Sequence, residues 1–173
     1  MNGFWLLLPF LAVRFGLLLI IRKGAIQRAG YFAPVQGTEK IAYYIYQVSN
    51  IGLFLYLLVT AVKIDFSLYF YLGFVCYILG IVLCAVSIMC FASPNAEGLN
   101  INGIYQFSRN PMYVAYFICF IGMSLLTQSL ILLGMVIIFQ VSAHWIILSE
   151  ERWCIKRFGK SYEEYMKKVR RYI

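Results

Sequence analysis

The chain has 173 residues, of which 62% are hydrophobic and only 13% charged, and its formal net charge is +8. Soluble domains carry roughly 25% charged residues, so a water-soluble fold is excluded: the chain has too little polar surface to cover one. The positive balance points to anionic lipid headgroups, worth about 1 kcal/mol per nearby Lys or Arg, rather than to nucleic acid.

A spanning helix needs about 20 apolar residues. In chain order, the runs 4–21, 41–62 and 66–91 meet that length. The first run reads as a retained helix, not a signal peptide. No basic residue precedes it, Arg14 interrupts it, Arg22 and Lys23 follow it, and no small-residue cleavage site is evident. The fourth stretch, 113–148, is too long for one span, and the polar step Thr127-Gln128-Ser129 predicts two helices, 111–126 and 130–150. The expected fold is therefore all-α: one domain over 1–173, an integral membrane bundle of about five transmembrane helices with a short cytoplasmic C-terminal helix. Of the 15 basic residues, 13 fall on the face carrying 22–40, 92–110 and the segment after Leu148; the exceptions are Arg14 and Lys63. By the excess of Lys and Arg in cytoplasmic loops, that face, with the C-terminus, is expected in the cytoplasm.

The two cytoplasmic segments carry specific local signals. Asn110-Pro111 is a strong helix start, because Asn caps well and Pro suits the first helical position. Glu150-Glu151 continue the last span, Lys156 and Arg157 suit its C-terminal dipole, and Gly159 stops it. Ser161-x-x-Glu164 reads as a capping box that opens a helix to Ile173. Its Tyr162, Tyr165, Met166, Val169 and Tyr172 or Ile173 recur at helical spacing, so it either lies in the headgroup region or closes over the bundle. The five cysteines lack metal-ligand spacing and read as small apolar filler, with no metal site.

Ionisable side chains at membrane depth are functional candidates, because burying them is costly. Arg14, His144 and the pair Glu150-Glu151 qualify. His144 and Glu151, seven apart, share one helix face. The plain alternatives are an interhelical hydrogen bond for His144 and snorkelling or an interhelical pair for Arg14. A helix N-terminus at Pro111 offers backbone N–H groups to an anion, with Arg109 beside it. Glu150 and Glu151 approach from the neighbouring helix of the hairpin. Such a pocket suits a zwitterion such as an amino-acid headgroup; otherwise Asn110-Pro111 only caps a helix and the two glutamates are only solvated.

The run Gly103-x-Tyr105-x3-Arg109-Asn110-Pro111-x-Tyr113, a helical hairpin, then Glu150-Glu151-x6-Phe158-Gly159-x2-Tyr162-x2-Tyr165 and a basic end resemble one family. It is that of the membrane methyltransferases, including isoprenylcysteine carboxyl methyltransferases and phospholipid N-methyltransferases. The likeness covers 103–173, and the first three spans match in hydrophobicity only. It implies S-adenosylmethionine bound at the cytoplasmic end of the last two helices, within 103–173. The contacts it implies are Tyr105, Arg109, Asn110, Pro111, Tyr113, Glu150 and Glu151. Arg109, Glu150 and His144 are the catalytic candidates, a base being needed where the acceptor is an amine. Two departures bear on the substrate. Asn110 stands where the eukaryotic carboxyl methyltransferases have His, an Asn that many bacterial members share, and the phospholipid enzymes' Gly-x-Gly element is not evident. The resemblance thus implies a lipophilic acceptor with a carboxylate, amine or thiol, entering from the bilayer, and no metal. Two other classes compete: a nicotinamide-dependent reductase related to the sterol reductases, whose chains are about twice as long, and a non-catalytic membrane sensor or scaffold.

Overall fold

In lipid a spanning segment must satisfy its own backbone hydrogen bonds, so the apolar runs fold as helices. The computed structural model describes residues 1–21 and 25–173. Arg22 and Lys23, counted above towards the basic face, lie outside the described residues. The helices are α1 (Phe4–Ile21), α2 (Ala25–Ala29), α3 (Glu39–Val59), α4 (Leu68–Ala92), α5 (Pro111–Thr127), α6 (Leu130–Phe158) and α7 (Lys160–Lys168), with a 3-10 turn at Gly103–Gln106. Among the described residues there is no β-strand, only an isolated bridge between Asn2 and Ala61. Helices α1, α3, α4 and α6 are long and apolar enough to cross a membrane. Helix α5, with 17 residues, lies at the lower bound of the about 17–25 that spanning takes.

The ends differ from the expected spans for local reasons. Helix α3 stops at Val59 rather than 62, because the chain turns extended to pair with the N-terminus: Gly3 N–H donates to the Thr60 carbonyl and Val62 N–H to that of Met1, both at 2.7 Å. Helix α4 starts at Leu68 rather than 66, where Ser67 caps it by accepting from Phe70 N–H at 3.3 Å. The break between α5 and α6 falls where the polar step predicts it. Gln128 takes a left-handed conformation (φ 50°), and Ser129 caps α6 by accepting from Leu132 N–H at 3.2 Å. Gln128 also donates to Asp65 at 2.7 Å; this bond and those from Ser67 pull the Asp65 carboxyl down to about 2. Helix α6 continues past Glu150 to Phe158.

Helix α3 shows how the bundle meets its surroundings. Tyr46, Ser49, Leu53 and Leu57 are buried, while Ile41, Tyr44, Val48, Ile51, Leu55 and Val59 are exposed on the outer face. A helix apolar on both faces is covered by protein on one and by lipid on the other. Inside, rings from four helices meet: Phe10 of α1 lies 5.1 Å from Phe120 of α5, which lies 5.5 Å from Phe139 of α6, itself stacked at 4.8 Å on Tyr46 of α3.

Apolar tails compete with apolar side chains in a bilayer, so spanning helices gain most from close backbone approach at small residues. Helices α4 and α5 use Gly73, Gly80 and Gly122 for this. A Cβ on Gly80 would lie 2.5 Å from the Cys119 backbone, and one on Gly122 would lie 2.4 Å from Tyr77 N. Backbone cannot swing aside. Gly80→Ala and Gly122→Ala are therefore expected to lose at least about 1–3 kcal/mol, the usual range for overpacking. Gly134→Ala, where the new Cβ meets nothing within 4 Å, is the control. Thermal unfolding in detergent checks it: only the first two should melt early.

Candidate active site

The chain enters the site through the 3-10 turn. Gly103 starts it with φ 60°, which strains any residue with a side chain, and a Cβ there would also lie 2.5 Å from Cys90 Sγ and force that thiol to move. The turn buries Tyr105, whose carbonyl accepts from Tyr165 O–H at 2.6 Å. Burial pushes both phenols up, so they act as neutral groups.

Asn110 occupies the N-cap position of α5, as expected, but its side chain does not cap the helix. The C-terminal tail runs alongside, and Asn110 Nδ2 donates to the Arg171 carbonyl at 3.1 Å instead. Ser108 takes the Asn110 backbone N–H at 3.2 Å, and Arg109 N–H donates to the Arg170 carbonyl at 3.0 Å. The N-terminus of α5 is thus left without a side-chain cap.

Arg109 turns away from that N-terminus. Its Nε and Nη2 donate to Glu151 Oε1 at 3.1 and 2.8 Å, and its Nη1 donates to the carbonyls of Met166 and Val169, each at 3.0 Å. Those carbonyls lie at the end of α7, where acceptors are unpaired and the dipole is negative. Arg171 closes the other side of Glu151, its Nη2 donating to Oε2 at 2.9 Å and its Nε to both oxygens at 3.1 and 3.2 Å. Glu151 is 4% exposed and its carboxylate is shared by two guanidiniums. Bonding to Glu151 pushes the Arg171 guanidinium up still further.

Glu150, the next residue, faces a cavity of about 540 Å³ and, among the described residues, takes one bond, from Tyr113 O–H at 3.0 Å. Tyr105, Arg109, Asn110, Tyr113 and Glu151, named from the sequence, line the same cavity; Pro111 and His144 do not. His144 Nδ1 instead lies 2.7 Å from Tyr172 O–H, fastening the tail to α6.

The C-terminal segment departs from its expected form. Gly159 takes φ 53° and lets α6 pass directly into α7 at Lys160, so Ser161 sits inside the first turn and the expected capping box with Glu164 does not form. The helix ends at Lys168, not Ile173, because the extended residues that follow give their carbonyls to Arg109, Asn110 and Ser108. Of the two placements open for it, the helix takes the second: Tyr162 and Tyr165 are buried with Leu99 over the end of the bundle.

Sequence reasoning missed Tyr46, Tyr116 and Arg171 as site residues. Tyr116 had a signal, lying three residues from Tyr113 on the same helix face. Arg171 had none beyond its place in a basic end.

A family model described as phospholipid methyltransferase matches residues 68–161, more than half of the chain. The chain belongs to this family. The match runs from the start of α4 through the α5–α6 hairpin into α7, and so contains Arg109, Asn110, Tyr113, Glu150 and Glu151. For this phospholipid methyltransferase family member, the activity implied is methyl transfer in a membrane. No curated protein matches the chain.

Proposed function

We propose that the chain transfers a methyl group from S-adenosylmethionine to an amphiphilic acceptor drawn from the bilayer. One juxtaposition carries the reading: an uncapped helix N-terminus and a carboxylate, Glu150, with one hydrogen-bond partner among the described residues, open on one cavity between helices. Its volume, about 540 Å³, lies within the roughly 300–1,000 Å³ of small-molecule sites.

The residues fit the cofactor's amino-acid end. Glu150 would hold the ammonium, and the α5 N-terminus, with its positive dipole end, would hold the carboxylate. When bound, S-adenosylmethionine supplies an electrophilic methyl: the acceptor's lone pair bonds to that carbon while the C–S electrons return to sulfur. The protein's own part is to position and to exclude water. The ion-paired Arg109–Glu151–Arg171 cluster holds the tail and α7 as a roof over the cavity, so Arg109 and Glu151 act as positioning residues.

Labelled S-adenosylmethionine and NADPH, each titrated against protein in detergent, test the reading. S-adenosylmethionine should bind and NADPH should not. NADPH binding alone would make the chain a reductase, and binding of neither would leave a sensor or scaffold.

The roofed end carries the basic face, which we assign to the cytoplasm, where S-adenosylmethionine is made available. A reporter active only outside the cell should stay silent when fused after Ile173. Activity there would invert the topology.

A further inference from the structure

We propose that Arg14 is the acceptor-recognition residue: its guanidinium receives an anionic oxygen, carboxylate or phosphate, of the amphiphile that is methylated. This rests on the methyltransferase reading above.

Arg14 lies in α1, a helix with no acidic residue, within the π turn Ala12–Gly16. A π turn adds a residue to one turn and so rotates the side chains that follow it; such turns recur at functional sites. The guanidinium lines the cavity that Glu150 faces. Its carbon lies 5.2 Å from the centre of the Tyr116 ring, a contact that orients a cation without neutralising it. Its Nη1 is buried without a hydrogen-bond partner among the described residues. No ion pair joins it to Glu150 among those residues.

A buried guanidinium N–H with no acceptor is costly, and at membrane depth the cost points to a ligand. The Glu150 carboxylate on the same cavity acts on Arg14 through its charge, without a bond among the described residues. The Arg109 guanidinium, on the same cavity, is committed to Glu151 and two carbonyls. Arg14 Nη1 is a buried donor still open to a ligand.

Its depth separates it from the cofactor's headgroup. Tyr116 is three residues further into α5 than Tyr113, about 4.5 Å at a rise of about 1.5 Å per residue. Arg14 thus packs over a ring that belongs to the next turn of α5 beyond Tyr113, the partner of Glu150. Buried aromatic walls, Tyr46 and Tyr116, continue from there and suit an apolar tail. Arg14 also lies outside the matched residues 68–161.

The test titrates three probes of equal chain length, hexadecyl phosphate, palmitate and hexadecanol, into the full chain in maltoside detergent. Binding is read by fluorescence of Trp153, which lines the cavity, with Trp153→Phe as the control. The wild type should bind at least one anion about tenfold tighter than hexadecanol, the scale of one charge-assisted hydrogen bond. Preference for the phosphate means a phospholipid-type headgroup, and preference for palmitate means a carboxylate acceptor. Arg14→Gln should abolish the preference, and Arg14→Lys should keep part of it. Arg14→Met should unfold at the same or a higher temperature without ligand, since it removes an unpaired cation. A wild type with no preference, an Arg14→Gln variant that keeps it, or an Arg14→Met variant that melts early would each overturn the assignment. S-adenosylhomocysteine binding, measured alongside, should be unchanged in Arg14→Gln. Its selective loss there would move Arg14 to the cofactor and overturn the proposal. Its absence already in the wild type would sink the methyltransferase reading, while the anion preference would still be decided by the variants.

Discussion

Glu151→Gln is expected to release the C-terminal tail and to cost about 3–5 kcal/mol, the usual loss when one partner of a buried ion pair is removed. The cost comes from what is left behind. Arg109 and Arg171 both lie within 3.2 Å of the Glu151 oxygens, and the Arg109 side chain is only 8% exposed. Glutamine keeps the shape but leaves two guanidiniums facing each other across a neutral amide. Arg109 would then hold the Met166 and Val169 carbonyls with no anion behind it, and the tail would lose its anchor at Arg171. Two measurements check this. Thermal unfolding in detergent should show the loss, and trypsin should cut after Arg170 and Arg171 in the variant but not in the wild type. The double variant Arg109→Met with Glu151→Met should be less damaged than Glu151→Gln, because the buried Arg109 charge leaves with its partner and the remaining Arg171, with a side chain 32% exposed, can turn to water. A Glu151→Gln protein that melts normally with a protected tail would show that the cluster does not hold the roof, and Glu151 would return as a candidate for ligand contact.

The features that the sequence displays are those set by local chemistry. Hydrophobic length marks the helices, because lipid leaves the backbone no other partner. Thr127-Gln128-Ser129 marks the α5–α6 break, because a left-handed residue and a serine cap need only their near neighbours. Asn110-Pro111 likewise places the start of α5. What stays hidden is set by distant chain. The Asn110 side chain abandons its helix for a carbonyl 61 residues away. Arg109 and Glu151 look like ligand groups in sequence because Arg171, which completes their cluster, is one of several similar cations in a basic end. The Ser161…Glu164 pattern is degenerate: Gly159 alone, by adopting positive φ, moves the helix start ahead of it. Arg14 is visible as an anomaly, but its inward direction depends on the π turn and on the packing of Phe10 against Tyr116, 5.6 Å apart. The family resemblance read from 103–173 agrees with the match over 68–161, which reaches back to the start of α4.

Glu150→Gln should weaken S-adenosylmethionine binding about ten- to hundredfold while leaving the fold intact. The two adjacent glutamates make the contrast sharp. Glu151 is enclosed by its arginines, whereas Glu150, among the described residues, bonds the neutral Tyr113 at 3.0 Å and faces open cavity beyond. A hydrogen bond between charged groups contributes about 1.5–3 kcal/mol, and about 1.4 kcal/mol is a factor of ten. Glutamine can still accept from Tyr113, so little stability should be lost. Tyr113→Phe removes only a neutral donor to Glu150 and should cost affinity less, about 0.5–1.5 kcal/mol. The location of the effect also matters. If Glu150 holds the cofactor's ammonium, the variant should show a raised apparent Kd for S-adenosylmethionine, with turnover near normal once the cofactor saturates. If Glu150 instead takes a proton from the acceptor, turnover should fall at saturation with cofactor affinity intact. Isothermal titration with S-adenosylhomocysteine, beside turnover measured across cofactor concentrations, separates the two. Unchanged affinity in a folded Glu150→Gln protein would remove the ammonium from this end of the cavity, and with it the assignment of the carboxylate to the α5 N-terminus.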